Sequence, residues 1–266
     1  RFVDWYKGAT NGTVKHANFI NNTAKRSGGA IYWYGHDGTL YNITFKYNKA
    51  LGNASYINPF GENTTGGDGG AVFWTGYNGN VTLSKFINNT ATIGGAVDVS
   101  ATKNSVAVSI DNCSFENNVA TGSPTRPAIG GAIRIGSTSV SSDKLVISVE
   151  NSNFTDNVAS AGGSAINNGG TLTLSGNKVF SNKAEINSTG TINSLEYATF
   201  LGNETVPGEQ GDIFILNATL TDEKGNFIYD ADFSFSVNGE TINGTLFDAE
   251  TGLYTVGYYI GTAGPK

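Results

Sequence analysis

The chain has 266 residues, of which 38% are hydrophobic and only 14% charged, with a formal net charge of −6 and a pI near 4.9. That acidic balance argues against nucleic acid, whose phosphates need clustered Lys and Arg, and no apolar run approaches the roughly 18 residues of a membrane span. The hydrophobic share is too high for disorder, and the polarity comes from Gly, Asn, Thr and Ser, which favour turns and strand surfaces over helices.

The N-terminal RFVDWYKG opens in mid-pattern and no Met occurs anywhere, so the chain is expected to be a processed or excised piece of a longer protein. A missing signal peptide then carries no weight. The lone Cys113 has no partner for an internal disulfide and leaves the compartment open.

A repeat follows. GGAIYWYGHDGTLYNITFKYN, Gly28 to Asn48, returns 41 residues on as GGAVFWTGYNGNVTLSKFINN, and fainter copies succeed it. Aligned on F-x-x-N, the anchors are Phe19, Phe45, Phe86, Phe115, Phe154 and Phe200, with Val179 in the remaining slot. Three residues after each anchor stands an Asn: Asn22, Asn48, Asn89, Asn118, Asn157, Asn182 and Asn203. An aliphatic residue precedes each anchor by five, and a small side chain usually precedes it by two.

Columns that recur at this period mean stacked coils, each giving short strands to long parallel sheets. Equivalent residues of successive coils then lie about 4.8 Å apart. The Asn column predicts a ladder of side-chain amides at a bend, on the ground that Asn tolerates the left-handed conformation. Paired glycines at Gly28-Gly29, Gly69-Gly70, Gly94-Gly95, Gly130-Gly131 and Gly162-Gly163 predict a second corner too tight for a Cβ. The insertions 51–68 and 121–129 read as loops on one edge. The fold class expected for residues 1–206 is therefore all-β, a right-handed parallel β-helix of about seven coils.

After LGNETVPGEQG the repeat stops. Residues 207–266 alternate polar and apolar positions around turns at Lys224-Gly225-Asn226 and Asn238-Gly239, a hairpin pattern. The segment resembles the bacterial immunoglobulin-like modules that follow β-helices in long surface proteins. It is short for a seven-strand sandwich of about 100 residues, so an incomplete module serving as stalk or spacer is expected.

Catalytic chemistry on a β-helix needs exposed carboxylates, or an Asp cluster holding a cation beside a base. One outward column, four residues before the anchor, holds Lys15, Tyr41, Thr82, Asp111, Glu150, Ser175 and Glu196. Asp111 and Glu150 fall on consecutive coils, roughly 5 Å apart at the backbone, which suits either a retaining glycosidase pair or a solvated acidic patch. No His, Lys or Arg shares the column nearby, so the patch is the expectation and no catalytic residue is assigned. His16 and His36 lack Cys or His partners at ligand spacing. No metal or cofactor is expected.

A second outward column runs Tyr32, Phe73, Asp98, Arg134 and Asn167. Asp98 and Arg134 are expected to form a cross-coil ion pair, worth little if exposed. Trp33 and Trp74 alternate inward as core. Tyr32 and Phe73 then face outward on adjacent coils, with Tyr34 and Tyr77 in the turns beyond. Together these four are candidates for a platform that binds sugar rings, the alternative being that the inserted loop covers them.

The shared GGA[IV] and F-x-x-N repeats over about residues 12–205 resemble two families. One is the chlamydial polymorphic outer-membrane proteins; the other, closer in its Asn/Thr-rich tone, is the adhesin-like surface proteins of methanogenic archaea. The resemblance implies a β-helix displayed at the cell surface for attachment.

Thirteen N-x-[ST] sequons occur, at Asn11, Asn21, Asn42, Asn53, Asn63, Asn80, Asn88, Asn112, Asn153, Asn187, Asn203, Asn217 and Asn243, where chance gives roughly six. They read as N-glycosylation acceptors on an exported glycoprotein, unless Asn and Thr co-occur at turns for structural reasons. The expected function is thus a non-enzymatic extracellular adhesin or scaffold whose partners are glycans or other cell surfaces. A structural subunit of a filament or sheath, built by self-association, and a polysaccharide-active enzyme using Asp111 and Glu150 stand as alternatives.

Overall fold

The computed structural model describes residues 3–5, 10–52, 56–57, 63–64, 66–101, 105–136, 141–180, 186–194, 197–200, 211, 213–219, 235–237, 240–242, 245–248, 253–259 and 261. The chain divides into two compact units, Arg1–Thr199 and Phe200–Lys266. The boundary read from sequence, between residues 206 and 207, lies outside the described residues. Among the described residues no helix is long and apolar enough to cross a membrane.

The first unit is a solenoid of parallel sheets, the arrangement of a β-helix. Three sheets have seven strands each, one per coil, and a fourth has five. In coil 2 the chain passes through Ile31–Trp33, Thr39–Tyr41, Thr44–Lys46 and Lys49–Ala50, which contribute to the first, second, third and fourth sheets in turn. Register is fixed by side-chain type: Phe19, Phe45, Phe86, Phe115, Phe154 and Val179 pair coil to coil without a slip.

A strand of three residues turns one or two side chains inward, and stacking lets each inward residue pack on its own copy. The phenylalanine rings lie nearly parallel at 5.2, 4.8, 4.7 and 4.9 Å between centroids. Trp33 and Trp74 stack at 4.8 Å inside the first sheet. All are buried, and with the aliphatic columns they form one continuous core. Each fully buried ring stabilises by about 2–3 kcal/mol over an exposed one.

The asparagine ladder is present, with one correction. From Asn22 through Asn48, Asn89, Asn118 and Asn157, each Nδ2 donates to the next Oδ1 at 2.9 Å. Each backbone N–H donates to the same oxygen at 3.0–3.1 Å. The second Nδ2 hydrogen reaches the anchor carbonyl of the preceding coil, as in Asn89 to Phe45 at 3.1 Å. The ladder residue itself is not left-handed. The residue before it is: Asn21, Tyr47, Asn88, Asn117 and Asp156 have φ between 51° and 59°. The bend uses two neighbours, one to turn and one to bond. Asn182 and Asn203 lie outside the described residues.

The glycine corner answers a close approach. Gly69 has φ +63°, and a Cβ on Gly70 would lie 2.0 Å from the Gly95 carbonyl oxygen of the next coil. In the fifth copy the corner sits one residue later than expected. Gly163 (φ +65°) takes the first place and Ser164 the second, because Ala165, not Ser164, carries on into the strand paired with Ile133–Gly136.

In the second unit Ile213–Thr219 pairs antiparallel with Leu253–Tyr259, which also pairs with Leu246–Asp248. Phe235–Val237 pairs antiparallel with Glu240–Ile242, and the expected turn between them, Asn238-Gly239, lies outside the described residues. The other expected turn, Lys224-Gly225-Asn226, lies outside the described residues.

Candidate functional site

The outward column of the first sheet runs Asp4, Tyr32, Phe73, Asp98, Arg134, Asn167 and Asn187 in register. The structure brings together the four candidate aromatics in part. Tyr32 and Phe73 sit side by side, half buried, with ring centroids 5.0 Å apart and planes tilted by 53°. Tyr77 stacks on His36 at 3.6 Å in the turn between the first and second sheets. Tyr34 follows Trp33 and is half buried.

Asp98 and Arg134 do pair, at 3.4 Å, but not in solvent: the Asp98 side chain is fully buried. The ion pair is therefore present but is not an exposed one, and two further charged groups, Asp68 and Arg126, act on Asp98. A turn closed by Ser123 and Arg126 brings the Arg126 guanidinium back to the Gly66 carbonyl at 2.8 Å and to Asp68 at 2.5 Å. Ser27 Oγ donates to the other Asp68 oxygen at 2.8 Å. Burial pushes the Asp98 carboxyl up to about 7, against the pull of Arg134, with Asp68 raising it further and Arg126 lowering it. Arg134 also donates to Ser100 Oγ at 3.1 Å. This is a closed electrostatic clasp between coils.

The acidic column of the second sheet is in register as expected, through Lys15, Tyr41, Thr82, Asp111, Glu150 and Ser175. Asp111 and Glu150 are half buried, and the Asn151 amide of the following coil donates to Asp111 at 2.9 Å. Glu196 lies outside the described residues. His16 takes a left-handed bend and meets Asn42 Nδ2 at 3.0 Å. Among the described residues no three His, Cys, Asp or Glu side chains converge as metal ligands would.

Five sequons share one geometry. Asn11, Asn21, Asn42, Asn88 and Asn112 all have φ between 52° and 59°, and the hydroxyl residue two positions on starts the next strand: Thr13, Thr23, Thr44, Thr90 and Ser114. Asn suits the left-handed bend and Thr the strand, which supplies a structural reason for the spacing. Asn11, Asn21, Asn42 and Asn112 are exposed and Asn88 is half buried. Asn80 and Asn153 are exposed on strands, Asn187 is half buried and Asn217 is exposed. Asn53, Asn203 and Asn243 lie outside the described residues, and of the Asn63 side chain nothing is described.

Sequence reasoning missed one feature. Tyr47, 43% exposed, holds a left-handed bend (φ +57°) where the equivalent residues are Asn or Asp, and the Lys46 ammonium lies 5.0 Å from its ring centroid. The signal was available as the one aromatic in a column that otherwise reads Asn21, Asn88, Asn117, Asp156, Ser181 and Gly202.

In comparison with known proteins, residues 17–32 match the Chlamydia polymorphic membrane protein repeat. That segment spans the Phe19 anchor, the Asn22 rung, the Gly28-Gly29 corner and the start of the next first-sheet strand. No curated protein and no solved structure matches the chain.

Proposed function

We propose that the chain is a non-enzymatic extracellular protein of the cell surface, an adhesin or scaffold that uses its solenoid for attachment to glycans or other cells. The observation that carries this reading is the polymorphic membrane protein repeat at residues 17–32, set in a solenoid that repeats the same rung through seven coils. A family bearing that repeat is a membrane or surface family by its description. The Asn/Thr-rich copies support the narrower likeness to adhesin-like proteins of methanogenic archaea, and the exposed sequons support glycosylation.

Two details of architecture belong to the same proposal. The solenoid is right-handed, because parallel crossover connections almost always are. The antiparallel strands of the second unit are part of an immunoglobulin-like stalk. Attachment through stacked strands needs no reaction centre, and an Asp111 carboxylate held by Asn151 serves a surface ladder as well as any chemistry.

The test is to pass purified chain over a panel of microbial and host polysaccharides, scoring retention and chain shortening together. Retention without shortening, weakened in a Tyr32→Ala/Phe73→Ala variant, is the expected result. Shortening of any polysaccharide, abolished in Asp111→Asn/Glu150→Gln, would overturn the non-enzymatic reading.

A further inference from the structure

Charge is not spread evenly along the solenoid. Over the second, third and fourth sheets and their bends, coils 1 to 3 (residues 13–26, 39–52 and 80–92) carry Lys15, Lys25, Arg26, Lys46, Lys49 and Lys85 and no acid. Over the same sheets, coils 4 and 5 (residues 106–121 and 145–160) carry Asp111, Glu116, Glu150 and Asp156 and no base. On a chain of net charge −6, six cations on the second to fourth sheets of three stacked coils, with the acids Asp4, Asp37 and Asp68 set in or beside the first sheet, form a local positive field bordered by a negative one.

Tyr47 stands within the basic half. Its column reads Asn21, Tyr47, Asn88, Asn117 and Asp156, all left-handed. A bulky aromatic with positive φ is costly, and Asn relieves that cost in the neighbouring coils. The ring does not repay it by packing inside, since it is 43% exposed. It lies under the Lys46 ammonium at 5.0 Å, and Ile20, 50% exposed, stands on the adjacent strand, where it pairs with Lys46. An exposed aromatic kept in a strained place, beside an ammonium and an apolar side chain, has the composition of a contact for a sugar ring bearing an acid group.

We propose that coils 1 to 3 bind an anionic polysaccharide, with Tyr47 stacking on a sugar ring and Lys46, Lys49 and Lys85 pairing with its carboxylate or sulfate groups. The proposal rests on the reading of the chain as a glycan-attaching surface protein. The acidic coils 4 and 5 repel the same polymer and so confine it to one end of the solenoid. Asn21 and Asn88 flank Tyr47 in its column, and a glycan on either would cover the ring. Both are therefore unoccupied in the native protein, their side chains serving the bend.

The experiment uses the full chain made in a host that does not N-glycosylate, with immobilised polygalacturonate, heparin and neutral dextran as probes. Retention on polygalacturonate and heparin but not dextran is expected, falling as salt rises; retention on only one of the two would identify the acid group. Tyr47→Asn restores the residue type of the neighbouring coils, so it keeps or raises the melting temperature while weakening binding about tenfold or more. Lys46→Glu/Lys85→Glu weakens binding, and Glu116→Lys/Asp156→Lys strengthens it.

Wild-type binding by Tyr47→Asn would overturn the proposal. So would equal retention on dextran or duplex DNA, native occupancy of Asn21 or Asn88 by mass spectrometry, or a salt-sensitive dimer in which the basic half is already covered by the acidic half of a second copy. Retention on neutral glycans that is lost in Tyr32→Ala/Phe73→Ala would sink this site and leave the adhesin reading standing. Failure to retain any glycan would remove both.

Discussion

Asn89 and Asn118 are joined twice across one coil spacing: the Asn89 Nδ2 donates to Asn118 Oδ1 at 2.9 Å, and the Asn89 backbone N–H donates to the same oxygen at 3.0 Å. Both side chains are fully buried. With the second Nδ2 hydrogen on the Phe45 carbonyl, each interior amide is satisfied by its own copies and the bend can close away from water. Buried polar groups are tolerable only on such terms.

Asn89→Ala leaves the Asn48 amide and backbone N–H without their acceptor, and the Phe45 carbonyl without its donor. An orphaned buried group costs about 1–3 kcal/mol, so a loss on the order of 4 kcal/mol or complete unfolding is expected. Asn89→Asp restores the acceptor but not the donor and falls between. Urea denaturation followed by tryptophan fluorescence ranks the three.

Phe86 sits between Phe45 and Phe115 at 4.8 and 4.7 Å. Phe86→Leu keeps most of the volume and is expected to cost about 1–2 kcal/mol, while Phe86→Ala costs about 3–5 kcal/mol. A solenoid whose coils were independent would show a smaller penalty in the alanine variant, which calorimetry would reveal.

The Asp98 clasp makes stability depend on pH in a fixed direction. Its carboxyl is raised from 3.8 to about 7 by burial, so the folded chain binds that proton more tightly than the unfolded chain. The contribution is fully present below about pH 4 and is lost as pH rises through about 7, by up to about 4 kcal/mol. Asp98→Asn is expected to flatten the stability profile between pH 4 and 7. A slope unchanged in this variant, read from urea midpoints, would show that another group sets it.

Cys113 is buried, with its thiol pushed up to about 12 chiefly by burial. It behaves as a small core side chain, not a nucleophile. Alkylation by iodoacetamide at pH 8 is expected to be negligible in the native chain and rapid in urea, which mass spectrometry resolves site by site.

The sheet register was legible in the sequence because a solenoid repeats one physical problem in every coil. Phe-to-Phe, Val-to-Leu and Asn-to-Asn alignment fixes which residues stack, and side-chain alternation fixes which face inward. What could not be read was the conformation within a bend, where Asn21 turns and Asn22 bonds although both are Asn. The surroundings of Asp98 were also hidden, since Arg126, whose charge acts on it, lies in an insertion with no copy in other coils. Of the candidate site, the pairing of Tyr32 with Phe73 followed from the columns. Tyr47 was legible as the one aromatic of its column, but its positive φ, which makes it an outlier, was not.

We propose that this solenoid stands outside the cell. An antibody raised against the solenoid should be applied to intact, unpermeabilised cells of the source organism, with permeabilised cells as the control. Surface labelling of intact cells that brief protease treatment removes is the expected result. Labelling seen only after permeabilisation would contradict it.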